Sequence, residues 1–262
     1  MVNLLKFEFR NLLRNKAIYI CGVIVIAFIA LSIFTTWKIE KSFNIGASED
    51  DSIIIEEDDT DYTGRSLLMS ALGDSGLPTI IAIFVAIFIC NDFTEGTIKH
   101  IISKGNSRAS VYCSKFLASF VAITVISILS MLTAFVMGSV LWKVGATVTM
   151  HQIVVLLVQM LCIYSYFTIF FVFSFLIRKK STAIAIGIVF PMIISIVLSI
   201  ADTMIKNKNT TLPSDLWIPN ILSNISSEVV KNTTLIQASI TAITYFILFF
   251  ALGYIASRKI EY

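Results

Sequence analysis

The sequence predicts an all-α polytopic membrane protein with six transmembrane helices, because it contains few charges and several long apolar stretches. Of its 262 residues, 56% are hydrophobic and only 14% are charged. Soluble domains average about 25% charged residues, and a soluble fold of this size would lack the charges needed to cover its surface. The composition therefore excludes cytosolic, disordered, collagen-like and disulfide-scaffold proteins.

Six stretches are long enough, or nearly so, to cross the roughly 30 Å of membrane hydrocarbon, which takes about 20 residues of helix. The second is interrupted by Gly73, Asp74, Gly76 and Pro78, which predicts a broken or shortened helix. The fourth and fifth are separated only by residues 178–181, which predicts a tight hairpin. Within one transmembrane domain, 1–262, we place the spans at about residues 17–37, 67–90, 116–142, 153–177, 182–201 and 236–257.

The charged residues are distributed unevenly between alternate loops. Thirteen of the twenty Lys and Arg lie on the side of the N-terminus, whereas nine of the seventeen Asp and Glu lie between Glu40 and Asp61. Since Lys and Arg favour cytoplasmic loops, both termini are predicted to be cytoplasmic, with an acidic outer loop at 38–66 and an outer segment at 202–235. The first span is longer than the 7–15 residues of a signal-peptide core, so we expect it to remain as an anchor.

The first sixteen residues, 1–16, are predicted to form a short amphipathic helix. Lys6, Arg10 and Arg14 are spaced by four residues and form one basic stripe. The apolar residues assigned to the opposite side are Leu5, Phe9, Leu12 and Leu13. This pattern is typical of a helix at the inner membrane interface, with its cations toward anionic lipid headgroups. Simple positive flanking of the first span, or contact with a partner protein, would give the same pattern.

The loop 91–115 between the second and third spans is predicted to contain a short helix. Thr94 can cap the start of this helix, Gly105 can end it, and Ser107 can cap the helix that follows. Three isoleucines would share one face: Ile98, Ile101 and Ile102. A short capped helix with an apolar ridge in a cytoplasmic loop favours docking into a groove of a soluble partner.

This loop carries a motif of the form D-F-x-x-G-T-(I/L)-(K/R), followed by S-R and then by K-(F/L)-L. The matching residues are Asp92, Phe93, Gly96, Thr97, Ile98 and Lys99, then Ser107-Arg108, then Lys115-Phe116-Leu117. The motif resembles that of the membrane subunits of ABC type-two exporters, and the six spans and the N-terminal helix extend the resemblance over the whole chain. Among these subunits, the chain is most similar in size and composition to bacterial permeases for lantibiotic or bacitracin immunity or peptide export.

The resemblance implies a permease that exports a peptide or amphipathic substrate through the bacterial plasma membrane. It implies two kinds of protein partner, a cytosolic ABC ATPase subunit and a second permease copy or paralogue, besides membrane lipid. ATP and Mg²⁺ would be bound by the ATPase and no cofactor by this chain. The implied ATPase-coupling residues are Asp92, Phe93, Glu95, Gly96, Thr97, Ile98, Lys99, Ile101, Ile102 and Arg108. The resemblance also implies a pathway at a two-fold interface between two permeases, lined by the second and fifth spans, near Asp74, Pro78 and Pro191.

The sequence gives no sign of catalysis by the chain itself. It has no G-x-x-x-x-G-K-[ST] phosphate loop, no H-E-x-x-H motif and no Cys/His metal cluster. We therefore expect no enzyme activity, and a separate subunit would have to hydrolyse ATP. No nucleic-acid partner is expected.

Two other functions remain open at this stage. The acidic outer loop could capture a cationic peptide, which would suit a non-transporting immunity or sensor protein, or it could simply be solvated. Asp74 could serve ion-coupled transport if it lies inside the second span, because an ionisable group there is costly and often functional. If that span begins near Leu77, Asp74 lies instead at the wet outer mouth.

Overall fold

The computed structural model describes residues 2–46, 63–73, 76–105, 107–142, 144–145, 149–205, 213–226 and 230–259. Within these ranges the chain is helical and has no strand, and six helices are long and apolar enough to span a membrane. The predicted all-α polytopic membrane fold is therefore confirmed. The helices are α1 Val2–Arg14, α2 Lys16–Gly46, α3 Gly64–Ser70, α4 Gly76–Thr94, α5 Thr97–Ser103, α6 Arg108–Leu141, α7 Met150–Ile177, α8 Lys180–Met204, α9 Ile218–Asn224 and α10 Asn232–Lys259, with a 3-10 helix at Pro213–Leu216.

The second predicted span, residues 67–90, is corrected by the structure. It consists of two helices, α3 and α4, and only α4, with 19 residues, is a candidate span. Pro78 lies in the first turn of α4, where a helix loses no internal hydrogen bond to a missing N–H group. Asp74, which we placed at the outer mouth or in the pathway, lies outside the described residues.

The other spans extend beyond the predicted apolar stretches. The longest, α6, has 34 residues, and at 1.5 Å per residue it is about 50 Å long, well over the roughly 30 Å of hydrocarbon. Helical backbone does not end where the membrane ends, because polar residues such as Arg108 continue the same hydrogen-bonding pattern. The extra turns project the helix ends into the headgroup region and beyond.

The centre of the bundle is formed by α4 and α7. In the most apolar stretch of each of these two helices, 61% of the residues are buried. The corresponding share in α8 is 11%. Aromatic side chains of α6, α7 and α10 pack edge to face where these helices meet: the Phe116 ring centroid lies 5.1 Å from that of Phe171 and 4.8 Å from that of Phe250. Because α4 is covered on all sides, none of its side chains from Gly76 to Phe93 is exposed.

The fifth span, α8, packs on α4 through small residues. Ala183 of α8 lies with Ala86 and Cys90 of α4, and Gly187 faces Ala82. Small side chains let two helix backbones approach closely within a membrane. This antiparallel register places Pro191, inside α8, at the level of Pro78.

The resemblance places the pathway near Pro78 of α4 and Pro191 of α8, but the two helices differ in their exposure. Pro78 is buried, Pro191 is partly buried, and most of the remaining surface of α8 is exposed. A second copy of the chain can reach α8 directly, but it cannot reach α4, because the chain's own helices enclose it.

The charged cluster and the short helix at the basic end

We call one end of the bundle the basic end. It is formed by α1, α5, the start of α6, the turn between α7 and α8, and the end of α10. Its exposed cations include Lys6, Arg10, Lys99, Lys104 and Arg258. All residues of the exporter-like motif lie at this end.

A buried charged cluster joins α1, α4 and α6 at the basic end. The Nζ atom of Lys115 donates to Glu8 Oε2 at 3.0 Å and also forms an ion pair with the Asp92 carboxylate. The Nδ2 atom of Asn11 donates to Asp92 Oδ1 at 3.2 Å. Lys115 and Glu8 are 0% exposed and Asp92 is 3% exposed. The Asp of the motif is therefore an internal ion-pair partner, and its carboxylate is not available to another protein.

The cluster carries two carboxylates and one ammonium group without access to water. Buried charges destabilise a fold unless they are paired and hydrogen-bonded, and Glu8 Oε1 accepts no hydrogen bond from any described residue. Burial raises the pKa of Glu8 above its usual value. The Lys115 ammonium partly opposes this rise, and the Asp92 carboxylate adds to it. Burial thus favours the protonated form of Glu8.

The amphipathic pattern of α1 did not identify Glu8 and Asn11, because it separates residues only by polarity. The face of α1 that packs against the protein contains Leu4, Glu8 and Leu12, whereas Leu13, predicted to be on the apolar side, is 62% exposed. One sequence signal could have identified Glu8: it is the only acidic residue before Glu40. A single carboxylate in a basic helix suggests a specific partner.

Phe93, the next residue of the motif, fixes the end of α4 to the end of α7. Its ring centroid lies 5.4 Å from that of Phe175, in an edge-to-face arrangement. The Arg178 guanidinium lies 5.7 Å from the centre of the same ring, within the range of a cation–π contact. Asp92 and Phe93 therefore anchor the end of α4 to different neighbours.

The chain reverses direction between α4 and α5 at Glu95 and Gly96. Gly96 has a φ of +71°, in the left-handed region that favours glycine, and it precedes the first residue of α5. The prediction that Thr94 caps α5 is wrong: Thr94 is the last residue of α4, and its hydroxyl donates to the Cys90 carbonyl at 2.9 Å. A β-branched threonine can continue a helix, whereas the reversal requires the glycine two residues later.

The two other predicted boundaries of this segment are confirmed. Gly105, with a φ of +87°, follows the end of α5, and its N–H donates to the Ile102 carbonyl at 2.9 Å. The Ser107 hydroxyl accepts from the Ser110 N–H at 3.2 Å and so caps α6.

The isoleucine ridge of α5, which we expected to enter a groove of a soluble partner, faces the protein and is covered by the chain's own helices. Ile98 is 1% exposed and Ile101 is 8% exposed; they pack with Leu4 of α1 and Val111 of α6. A helix of seven residues has little stability of its own, so its apolar face must be buried against neighbouring helices. Ile102 is partly buried beside them.

The face that α5 and its turn present outward is polar and carries two lysines and one acidic residue. Its exposed residues are Thr94, Glu95, Lys99, His100, Ser103 and Lys104. Glu95 accepts a hydrogen bond from Asn91 Nδ2 at 2.6 Å.

A cleft of about 190 Å³ lies beside α5 and extends to Arg178. Phe93 and Ile98 form apolar parts of its wall, and Lys99 and Arg178 contribute cations. Such a cleft suits an acidic or amphipathic side chain of another protein.

Arg108, the remaining predicted coupling residue, lies apart from this surface. It lines a second cleft, between the start of α6 and the end of α10, together with Tyr254 and Arg258. Within the described part of the chain, no group of three or more His, Cys, Asp or Glu residues could hold a metal ion.

Comparison with known proteins gives one family match, and no curated protein matches the chain. Residues 53–262 match the family described as "Protein of unknown function (DUF2705)". The match includes Asp92, Lys115 and all of α5, but not α1 with Glu8. Because it covers more than half of the sequence, this multi-pass membrane protein belongs to the DUF2705 family.

Proposed function

We propose that the chain is the permease subunit of an ATP-driven exporter in the bacterial plasma membrane. It would move a peptide or another amphipathic substrate out of the cell or the membrane, as in antimicrobial-peptide immunity or peptide export. A cytosolic ABC ATPase would bind ATP and Mg²⁺ and supply the energy. The basic end, with both termini, would face the cytoplasm, in agreement with the preference of Lys and Arg for that side.

One observation carries this proposal: α5 is a short helix with a polar outer face, fixed to the ends of three neighbouring helices. Ile98 and Ile101 join it to α1 and α6, while Asp92 and Phe93 hold the turn that precedes it. A helix fixed in this way cannot move alone. Displacement of α5 by a partner would therefore also displace the helix ends packed against it.

In the proposal, eight of the ten coupling residues fall into three groups with different roles. Asp92, Phe93, Ile98 and Ile101 would position the helix, since their side chains are buried or packed between helices. Glu95 and Lys99, joined by His100 and Lys104, would contact the ATPase, because they are exposed. Gly96 and Thr97 would shape the turn.

The second partner in the proposal is another permease, either a second copy or a paralogue. Its most accessible contact on this chain is α8, which exposes Met192, Ile196 and Ile200 on one side. The substrate would then pass between the two permeases, near Pro191.

Co-purification with an ABC ATPase subunit tests the proposal. The tagged full-length protein should retain the ATPase in detergent. The double substitution Lys99→Glu/Lys104→Glu should reduce the retained amount by about tenfold or more, because it reverses two charges on the contact face. Lys231→Glu is the matched control: Lys231 is exposed near the start of α10, at the opposite end of the bundle, so retention should not change.

Two results would contradict the proposal. One is the absence of any ATPase in the purified complex, together with unchanged peptide export after deletion of the chain. The other is equal loss of the ATPase in the Lys231→Glu control, which would indicate a nonspecific effect of charge.

A further inference from the structure

We propose that the cleft between α6 and α10 at the basic end binds the phosphate headgroup of one anionic phospholipid. This cleft has a volume of about 460 Å³, and Arg108, Ser110, Cys113, Tyr254 and Arg258 contribute to its wall. The site lies apart from the proposed ATPase-contacting face of α5.

The chemistry of the wall suits a phosphodiester. Arg108 and Arg258 come from different helices, so two guanidinium groups border one space, and the described residues of the wall are otherwise neutral. Guanidinium groups bind phosphate oxygens through parallel N–H donors, and basic pockets between transmembrane helices are typical sites for anionic headgroups. A hydroxyl group from Ser110 adds a neutral polar contact.

The Arg258 side chain is held in place along α10. Its Nη2 atom donates to the Tyr254 hydroxyl at 2.6 Å, and its guanidinium carbon lies 4.7 Å from the centre of the Tyr254 ring. Tyrosine is common at membrane interfaces, since its ring is apolar and its hydroxyl is polar. The contact with Tyr254 uses one donor, so the guanidinium keeps other N–H groups for a ligand.

The position of the cleft along the two helices points to a lipid rather than to a soluble anion. The first large exposed apolar side chain on α6 is Leu117, at 49%, and the last on α10 is Ile255, at 52%. Exposed apolar side chains mark where a helix surface contacts acyl chains. The cleft, at residues 107–113 of α6, therefore lies at headgroup level, directly beside the exposed apolar surface that acyl chains would cover.

Native mass spectrometry of the full-length protein in detergent tests this site. The protein is titrated with phosphatidylglycerol or with phosphatidylcholine of the same acyl chains. We expect one phosphatidylglycerol to bind more tightly than phosphatidylcholine. Arg108→Gln/Arg258→Gln should weaken phosphatidylglycerol binding by about 25-fold, because the loss of each cation should lower the affinity roughly fivefold.

Lys231→Gln serves as the control, because it removes an exposed charge just before α10, at the far end of the bundle and outside the cleft. The affinity for one phosphatidylglycerol should stay within about twofold of the wild-type value. Removing a cation that binds the headgroup should instead lower this affinity roughly fivefold. Millimolar inorganic phosphate should not displace the lipid. Displacement by phosphate would assign the cleft to a free anion and overturn the proposal.

A second measurement uses the wild-type protein, so it remains informative if the double variant fails to fold. Cys113 is half-buried in the cleft, whereas Cys21, Cys90 and Cys162 are buried. Phosphatidylglycerol should slow the reaction of Cys113 with a maleimide relative to phosphatidylcholine. Equal rates in the two lipids, or equal binding of the two lipids in the titration, would overturn the proposal.

Discussion

At each end of the bundle, a buried side-chain nitrogen holds two other segments together, but the chemistry differs between the ends. At the basic end, the side-chain nitrogen of Lys115 holds two carboxylates, Glu8 from α1 and Asp92 from α4. At the far end, the side-chain nitrogen of Gln159 in α7 donates to two carbonyls, at 2.9 Å to Met69 of α3 and at 3.1 Å to Ile225 after α9. In both cases one buried nitrogen joins two other segments.

The difference lies in charge. The amide of Gln159 and its carbonyl partners are neutral, so this contact buries dipoles and no charge. The basic end buries three charged groups, and removing one of them leaves others uncompensated in an apolar environment. We infer that the basic end is more sensitive to substitution and to pH, which suits a region that transmits force from a partner.

The largest expected effect is that of Lys115→Met. This substitution leaves two buried carboxylates without their cation, which should cost about 3–5 kcal/mol of stability. Thermal unfolding in detergent should show a fall in Tm of roughly 10 °C or more. The variant Glu8→Gln/Asp92→Asn/Lys115→Met should recover much of this loss, because no charge remains buried.

A Lys115→Met variant with the Tm of the wild-type protein would contradict the proposed difference between the two ends of the bundle. Failure of the triple variant to improve on the single variant would show that packing of the lysine stem, rather than its charge, is what matters.

An intermediate effect is expected for Gln159→Leu at the far end. It leaves the Met69 and Ile225 carbonyls without their donor, and neutral unsatisfied groups cost about 1–3 kcal/mol. Tm should fall by less than in Lys115→Met. Met160→Leu, a conservative change in the same helix, should leave Tm nearly unchanged. If Gln159→Leu and Lys115→Met prove equally destabilising, charge does not distinguish the two ends.

The smallest effect concerns the pH dependence that Glu8 contributes. Because burial raises its folded-state pKa above 4.5, the folded protein binds this proton more tightly than the unfolded chain does. The contribution of Glu8 to stability is therefore fully present below about pH 4.5 and is lost as the pH rises through the raised pKa. Glu8→Gln cannot titrate at this position.

Melting curves of the wild-type protein and of Glu8→Gln across this range provide the measurement. The Tm of the wild-type protein relative to the variant should decrease as the pH rises and then become constant. An increase with pH would show that attraction to Lys115 outweighs the effect of burial.

The sequence predicted the spans well because the membrane imposes a simple rule: about 20 apolar residues for each crossing. It also predicted that Gly73 to Pro78 would interrupt the second span, and it identified Gly105 and Ser107 as local boundaries. These features depend on residues near one another in the chain.

What the sequence could not predict depends on contacts between distant segments. Glu8 and Lys115 are 107 residues apart, and nothing local to either shows that they meet. The isoleucine ridge of α5 was correctly recognised as apolar, but its direction is set by Leu4 and Val111 on other helices. Periodicity shows that a face is buried, but not what covers it.

The central claim is that the outward face of α5 contacts an ATPase subunit, and site-specific photocrosslinking tests it most directly. A photoreactive amino acid is placed at His100, which is exposed on α5, or at Lys231, which is exposed at the far end. After irradiation of intact cells, we expect a crosslinked product that contains a phosphate-loop ATPase when the photoreactive amino acid replaces His100. We expect no such product when it replaces Lys231. No ATPase product from His100, or the same product from both positions, would contradict the account.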